Sequence, residues 1–477
     1  MRGSTWVLAT LLGLACAGAP AAAGTPAVAG TPAAAAGPRP SSERVAFTEV
    51  KKITASDAAS GDYFGAGAVS GDTAIVGSQG DDDHGDWSGS AYIYERHYSK
   101  PYMWGQRKKL TASDAEADDA FGGRVAISGD FAVVRADGED TAGPLVGAAY
   151  VFGRNHGGTD NWGQMKKLMP SPPVGIIEGW GTPAIDGNTI AVGCLHSCEI
   201  VHIFDLDQGG PENWGEVTKV TAFDGAALDH FGQSLAVSKD TLVVGADGND
   251  DACSGNPDCN SGAIYVFDRD KNGVDMWGHV KKRIASEDTA GDWFGESVAI
   301  SGDTIAVGAP GDDGACPANP DCNSGAVYIF ERDLGGLDNW GQAKIIIPSD
   351  VELGDSFGVV SIWGNILAVG SPGDDDALPS DPSSNSGAVY VFSRNHGGLG
   401  AWGLVQKLTA SDAAVGDVFG SPSISGNTVL VGAQNNDDAC VGDPYCNSGS
   451  AYVFMPPPFE VFVGEEPVDL VRPGKER

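Results

Sequence analysis

The chain is poor in basic residues and in segments that favour helix. Only 29 of its 477 residues are Lys or Arg, against 64 Asp and Glu, which gives a formal net charge of −35. Nucleic acids and anionic membranes bind clustered basic residues, so the sequence argues against both as partners. Helix-favouring runs are scarce after residue 45, whereas Gly is frequent, with 69 residues. This composition predicts many short strands joined by tight turns.

Long apolar runs are missing after the N-terminal segment, so we expect no transmembrane segment. That first segment has the pattern of a signal peptide, with Arg2, an apolar run from Trp6 to Ala17, and a small-residue cleavage site at Ala21-Ala22-Ala23. We assign residues 1–23 to a signal peptide and residues 24–46 to an Ala-, Pro- and Gly-rich linker.

The predicted location is therefore secreted or cell-surface. Cys16 raises the alternative of a lipoprotein anchor, but Gly13 stands where such signals usually carry a branched apolar residue.

Cysteines are few and lie in close pairs. Besides Cys16 there are eight, and an even number of local pairs in an exported chain predicts four disulfide bonds. The pairs are Cys194/Cys198, Cys253/Cys259, Cys316/Cys322 and Cys440/Cys446. Zinc binding is the alternative, but each pair lacks a second half-site of His and Cys ligands nearby.

From Phe47 onward the sequence repeats itself every 51 to 63 residues. Each copy has four strand-like segments, and a two-residue Gly-Asp or Gly-Asn turn joins the first two, except at Lys239-Asp240. A period of this length with four strands predicts one propeller blade per copy. Seven copies begin with an aromatic-Gly pair, at Phe64, Phe121, Trp180, Phe231, Phe294, Phe357 and Phe419.

The fourth segment begins at a Trp-Gly pair, but the last copy ends without one at Met455. A matching segment, FTEVKKI, begins at Phe47, before the first copy. We therefore predict an all-β, seven-bladed propeller over residues 47–457, whose N-terminal strand completes the last blade and closes the ring. Residues 458–477 are assigned to a C-terminal tail.

Lysine pairs such as Lys108-Lys109 belong to the fourth segments. We expect them on the outermost strands, where charge discourages edge-to-edge aggregation. A functional basic patch is the alternative.

The repeated pattern resembles the FG-GAP repeat family, known from the propeller head of integrin α chains. The copies run in order through Phe-Gly, VAIS-like, AVGAP-like and GAVYVF-like segments, and Gly308-Ala309-Pro310 is a full GAP. The resemblance covers about residues 47–454 and implies a seven-bladed ring and, often, adhesion or ligand binding. Arg135 and Trp180 depart from the pattern and mark the second and third blades as irregular.

The family's calcium loop, with the pattern DxDxDG, lies between the first and second strands. Here that connection is only the short Gly-Asp turn, so the family's calcium site is not carried over.

Acidic residues concentrate instead in the loop between the second and third strands. In the fifth copy Asp312, Asp313, Asp321 and Asn323 surround the cysteine pair. These oxygens are a candidate calcium site, since Ca²⁺ takes six to eight hard oxygen ligands. The alternative is that Asp and Asn shape these loops through local hydrogen bonds.

We expect neither a GxSxG nor an HExxH catalytic motif, and the eight His residues are scattered. Because all copies carry similar loops, we expect repeated binding rather than one reaction centre. The sequence thus predicts a monomeric, non-enzymatic scaffold that binds an extracellular protein or glycan. A hydrolase acting on a glycan or phosphoester, and a structural cell-surface component, are the alternatives. A deep, asymmetric pocket at the central channel, lined by acids and a His, would favour the hydrolase.

Overall fold

The computed structural model describes residues 46–457 with short gaps. The gaps are residues 98–99, 101, 141–146, 170–179, 195–198, 227, 254–255, 257–258, 288, 317–318, 320–321, 382 and 441–445. The assigned signal peptide, nearly all of the linker and the C-terminal tail lie outside the described residues. Within them the regular elements are strands, and no helix is long and apolar enough to cross a membrane.

The strands form seven four-stranded antiparallel sheets, the blades of a propeller. Blade 1 contains β2 (Phe64–Ser70), β3 (Thr73–Ser78), β4 (Ser90–Arg96) and β5 (Trp104–Leu110). Blade 2 contains β6 (Phe121–Ser128), β7 (Phe131–Ala136), β8 (Ala148–Gly153) and β9 (Gly163–Leu168). Blade 3 contains β10 (Trp180–Asp186), β11 (Thr189–Cys194), β12 (Ile200–Asp205) and β13 (Gly215–Thr221). Blade 4 contains β14 (Leu235–Ser238), β15 (Thr241–Ala246), β16 (Ala263–Asp268) and β17 (Gly278–Arg283).

The remaining blades repeat this order. Blade 5 contains β18 (Ser297–Ser301), β19 (Thr304–Ala309), β20 (Ala326–Glu331) and β21 (Gly341–Ile346). Blade 6 contains β22 (Val359–Trp363), β23 (Ile366–Ser371), β24 (Ala388–Ser393) and β25 (Gly403–Leu408). Blade 7 contains β26 (Ser421–Ser425), β27 (Thr428–Ala433), β28 (Ser450–Met455) and β1 (Thr48–Ile53). The first strands of neighbouring blades contact one another all the way round and line the central channel.

The N-terminal strand closes the ring. β1 pairs antiparallel with β28, with Thr48 opposite Met455 and Ile53 opposite Ala451, and it is the outermost strand of blade 7. The predicted fold, the number of blades and the closure are therefore confirmed.

The turn between the first and second strands is the same in all seven blades. Its first residue has φ between 55° and 58°, a region that Gly enters at little cost. Lys239 takes this position in blade 4, with φ 55°, so the irregular Lys239-Asp240 pair forms the same turn.

The core lies between blades rather than within them. Ile329 of blade 5, for example, packs in one buried cluster with Phe357 and Trp402 of blade 6. Phe357 also makes edge contacts with Tyr390 and Phe392, at centroid distances of 5.3 and 6.1 Å. A single blade cannot cover these side chains, and this is why the repeats form a closed ring.

Glycines set the distance between blades. A Cβ atom on Gly308 would lie 1.8 Å from the carbonyl oxygen of Gly358 in the next blade. Five further blades place a Gly at the same contact. In blade 2 Arg135 takes this position and forms an ion pair with Asp137, which confirms that the blade is irregular.

Arginines join blades on the face that carries the two-residue turns, called here the turn face. Arg332 donates to Thr241 Oγ1 of blade 4 at 2.6 Å and to Asp303 of its own turn at 2.8 Å. Its guanidinium lies 4.6 Å from the centroid of Trp340. Arg154, Arg269 and Arg394 make corresponding contacts in blades 2, 4 and 6.

Candidate functional site: the acidic loop face

The loops between the second and third strands form the opposite face, called here the loop face. Each loop of blades 1, 4, 5, 6 and 7 starts with a buried Asp or Asn: Asp81, Asn249, Asp312, Asp374 and Asn436. In blade 6, Tyr390 Oη donates to Asp374 Oδ2 at 2.9 Å, and the backbone N–H of Asp376 donates to Oδ1 at 3.1 Å. The loop closes where Gly387 N–H donates to the carbonyl of Asp374 at 2.7 Å.

The following acidic residue holds the far side of the loop. Asp313 Oδ1 accepts the backbone N–H of Asn323 at 2.8 Å in blade 5. Asp250 and Asp437 accept the equivalent N–H groups in blades 4 and 7, both at 2.7 Å. These carboxylates therefore shape the loops, as the hydrogen-bonding interpretation of the sequence expects.

Disulfide bonds are present beside these hydrogen bonds. Cys253 is bonded to Cys259, Cys316 to Cys322, and Cys440 to Cys446. The predicted Cys194–Cys198 bond of blade 3 lies outside the described residues.

The second lysine of the lysine pairs does not point outward as a free edge charge. Lys109 Nζ lies 2.8 Å from Asp57, 2.8 Å from Asp81 and 2.6 Å from Asp83. It also lies 5.3 Å from the centroid of Tyr92. Asp57 follows the outermost strand of the preceding blade, so this ion cluster joins two blades. The lysine pairs lie on the outermost strands, as expected, but the second lysine is held in an ion cluster rather than left as a free edge charge.

Four other blades repeat the arrangement. Lys407 lies 2.6 Å from Asp374 and 2.5 Å from Asp376. Lys52, Lys167 and Lys282 occupy the clusters of blades 7, 2 and 4. Burial alone would lower the pKa of Lys407, but hydrogen bonds to Asp374 and Asp376 raise it above its usual value. The Lys407 ammonium group therefore stays charged and neutralises the buried Asp374 carboxylate.

Blade 5 lacks this neutralising lysine. Ile345 pairs with Tyr328 at the position where Lys407 pairs with Tyr390, and Gly314 replaces Asp376. Asp312 accepts from Tyr328 Oη and from Gly314 N–H, both at 2.7 Å. Burial raises the pKa of Asp312, and the Asp313 charge adds to the rise.

The predicted calcium ligands are only partly gathered by the fold. Asp312 and Asp313 lie in one loop with their oxygens accepting hydrogen bonds, Asn323 contributes its backbone N–H to Asp313, and Asp321 lies outside the described residues. A group of three carboxylates within 4.8 Å of one another lies in blade 1, at Asp57, Asp81 and Asp83, where Lys109 already binds.

In blade 3 a glutamate carboxylate accepts hydrogen bonds that loop carbonyls accept in other blades. In other blades a loop carbonyl accepts the N–H of the Phe that begins the next blade, as Ser261 does for Phe294 at 2.9 Å. In blade 3 the Glu199 carboxylate accepts the N–H groups of Phe231 and His230, at 2.8 and 3.1 Å. Burial raises the pKa of Glu199 to about 7.

Two opposite charges interact beside the innermost strands. Arg124 lies in β6 of blade 2 and Glu296 directly precedes β18 of blade 5, and both residues are exposed. Desolvation and the charge of Asp247 raise the pKa of Glu296 to about 7, against the opposing effect of Arg124. His230 Nδ1 lies 3.3 Å from Asp247.

The expectation that the chain has no GxSxG motif is wrong, but the single match has a structural explanation. The letters Gly354-Asp355-Ser356-Phe357-Gly358 match GxSxG, but they form the loop that enters β22 rather than a strand-to-helix turn. Ser356 Oγ donates to Gly354 O at 3.4 Å. Ala120 and Val418 occupy the equivalent position before the Phe-Gly pairs of blades 2 and 7, so the GxSxG match arises from the repeated sequence.

A cavity lies on the turn face. It measures about 1000 Å³ and spans blades 4 to 6. Its lining includes Arg269, Arg332 and Arg394, whose charges are paired with neighbouring acids.

A family model described as FG-GAP repeat matches residues 47–94, 104–152, 214–267, 277–330, 340–392 and 402–454. The unmatched stretch between 152 and 214 contains the first three strands of blade 3, where Trp180 departs from the repeat. No curated protein matches the chain.

Proposed function

Because this chain belongs to the FG-GAP repeat family, we propose that it is an exported, non-enzymatic scaffold whose loop face binds an extracellular protein or glycan. The observation that carries this proposal is the repeated construction of that face. Blades 1, 6 and 7 each hold a buried acid or amide against a Tyr and a Lys, which fixes loops that project to solvent. Loops that are ordered beforehand lose less conformational entropy when a ligand binds.

Export is supported by the N-terminal sequence and by the disulfide bonds. The signal-like segment of residues 1–23 would direct the chain to an oxidising compartment, where such bonds persist.

The test is a binding array of extracellular proteins and glycans, probed with the mature protein and with two triple variants. Asp313, Asp375 and Asp437 are changed to Asn on the loop face, which keeps an acceptor oxygen and removes the charge. The matched control changes Asp72, Asp240 and Asp303 to Asn on the turn face. We expect a ligand whose affinity falls at least tenfold in the loop-face variant and within twofold in the control. Equal binding by both variants would exclude the loop face.

A hydrolase is the second candidate, because desolvation and the charge of Asp247 raise the pKa of Glu296, beside the innermost strand of blade 5, to about 7. A carboxyl group in that range can act as a general acid or base near neutral pH. Turnover of glycan or phosphoester substrates that is lost in Glu296→Gln would replace the scaffold proposal. Absence of turnover in the wild type would remove this candidate.

Calcium binding is proposed for blade 5 alone, because the other loop clusters of blades 1, 4, 6 and 7 already contain an ammonium group. Asp312 and Asp313 would contribute oxygens there. Ile345→Lys would supply the missing ammonium group. We expect calcium to raise the melting temperature of the wild type and chelator to reverse it, whereas Ile345→Lys responds to neither. A wild type that melts unchanged with calcium and with chelator would exclude the site.

A further inference from the structure

Blade 1 carries a tryptophan where other blades carry asparagine. Trp87 precedes the Ser-Gly pair that leads into the third strand, as Asn323 does in blade 5. Asn260, Asn385 and Asn447 hold the same position in blades 4, 6 and 7. All five residues have positive φ, between 43° and 56°.

This backbone conformation suits Asn and disfavours Trp. Asn enters the left-handed region far more readily than bulky residues, whose Cβ crowds the following carbonyl. The carbonyl of Trp87 accepts the N–H of Ala120 at 2.8 Å, as Asn323 O accepts the N–H of Ser356 at 3.1 Å, so this backbone contact does not require Trp. Other tryptophans with positive φ, such as Trp162 and Trp340, are buried in the core, whereas Trp87 is 39% exposed. An exposed aromatic side chain at a strained position points to a role outside the fold.

Tyr63 lies beside Trp87. The ring centroids are 5.5 Å apart and the planes are tilted by 43°. Tyr63 also has positive φ, 52°, at a position that Ala120, Ser356 and Val418 hold in blades 2, 6 and 7. Among the described blades, blade 1 alone has an aromatic residue at both positions.

The loop that carries Trp87 also carries exposed carboxylates. Asp82 and Asp86 lie in the same loop and are exposed to water. Lys109 binds Asp81 and Asp83, so the loop's ion cluster is satisfied without them. The surface thus combines two aromatic faces with hydrogen-bond acceptors.

We propose that Tyr63 and Trp87 form a binding site for a neutral sugar ring, which deepens and rests on the binding function proposed above. The C–H face of a pyranose is flat and apolar and packs on an aromatic ring, while its hydroxyl groups donate to carboxylates such as Asp82 and Asp86. Rings 5.5 Å apart leave no room between them for an ammonium group, so the pair offers an open aromatic surface rather than an enclosed cation site.

The experiment titrates the mature protein with cello-, xylo-, manno- and chitotetraose, followed by calorimetry and tryptophan fluorescence. We expect saturable binding of at least one tetrasaccharide and a loss of at least tenfold in affinity in Trp87→Asn and in Tyr63→Ala. Trp87→Asn is expected to keep or raise the melting temperature, by about 1–3 °C, because strain is released. The matched control is Trp293→Ala, an exposed Trp at the Tyr63 position of blade 5, which should keep the affinity within twofold.

Three results would overturn the sugar site. They are no binding of any tetrasaccharide at millimolar concentration, unchanged binding by Trp87→Asn, and displacement of the bound sugar by choline. A clearly lower melting temperature in Trp87→Asn would remove the strain argument as well. If an arrayed protein binds the loop face while sugars do not, the sugar site fails and the scaffold stands. If bound sugar is hydrolysed, the scaffold fails and the sugar site stands.

Discussion

Lys407 shows at the scale of one residue how the loop face is held together. Its ammonium group contacts Asp374, which is 1% exposed, and Asp376. Lys407→Met should lower the free energy of unfolding by about 2–3 kcal/mol, because a buried carboxylate loses its counter-charge. Urea denaturation measures the change.

Two variants control this prediction. Lys166→Met removes the first lysine of a pair, whose ammonium contacts the side chain of Asn213 at 3.2 Å, and should cost less than about 0.5 kcal/mol. Adding Asp376→Gly to Lys407→Ile reproduces the Gly314 and Ile345 combination of blade 5 and should restore part of the loss. Equal stability of Lys407→Met and the wild type would refute the counter-charge.

Buried carboxylates predict how stability depends on pH. Burial raises the pKa of Asp62, Asp292 and Asp355 to about 6, above the usual value of 3.8. The folded state therefore holds these protons more tightly than the unfolded chain, and this stabilisation is lost as pH rises through about 6. We expect a melting temperature several degrees lower at pH 8 than at pH 5.

The aspartates paired with lysine do not oppose this trend. Burial would raise the pKa of Asp57, but hydrogen bonds from Lys109 and Tyr92 outweigh this effect and lower the pKa overall. The contribution of Asp57 to the free energy of unfolding is therefore lost only below its usual pKa. Asp292→Asn should flatten the pH profile. A melting temperature that rises between pH 5 and pH 8 would contradict the assignment.

At the scale of the loop, the contributions of the disulfide bond and of the hydrogen bonds to stability can be separated. Blade 6 has Leu378 and Ser384 where blade 5 has cysteines, yet Leu378 N–H donates to Asp375 O at 2.9 Å as Cys316 N–H does to Asp313 O. Replacing Cys316 and Cys322 by Ser should cost at most about 2 kcal/mol, the chain-entropy value for a small ring. Chemical denaturation measures the loss in the free energy of unfolding. Unfolding of the whole ring at a much lower denaturant concentration would show instead that the loop depends on the disulfide bond.

At the scale of the strand, β1 is the element that closes the ring. Deleting residues 47–53 exposes the edge of β28 and removes Ile53, which is 1% exposed, from a cluster shared by blades 7 and 1. We expect a melting temperature lower by more than 10 °C, or an insoluble product, since an open strand edge promotes aggregation. Removal of residues 24–44 alone is the control and should leave melting unchanged. A truncated protein that melts like the wild type would refute the closure.

The strands could be predicted from the sequence, but most contacts of the loop face could not. Phe-Gly pairs and period-two alternation determine the blades because each blade needs the same apolar faces. Alternation does not tell which loops meet, so the role of Lys407 was missed. A signal did exist, since blade 5 lacks both the lysine and the third acid, at Ile345 and Gly314. The substitution of Glu199 for loop carbonyls carries no repeated signal, because among the loops that the structure describes only blade 3 uses it.

At the scale of the whole molecule, glycines fix the spacing of the blades. Gly308→Ala would bring a Cβ within 1.8 Å of Gly358 O, which the neighbouring blade cannot relieve without moving. We expect a loss of about 2–3 kcal/mol in the free energy of unfolding. Gly105→Ala, where a Cβ meets nothing within 4 Å, is the control. Equal denaturation curves for the two variants would show that the ring tolerates wider spacing.

The pairing of β1 with β28 also orders events during synthesis. The first strand to leave the ribosome bonds to the last one, with Thr48 Oγ1 donating to Met455 O across 407 residues. Blade 7 therefore cannot form completely until β28, the last strand of the propeller, has been translated. A nascent chain keeps an unmatched strand at each end until synthesis is complete, which leaves it open to chaperones and to passage through a narrow translocation pore.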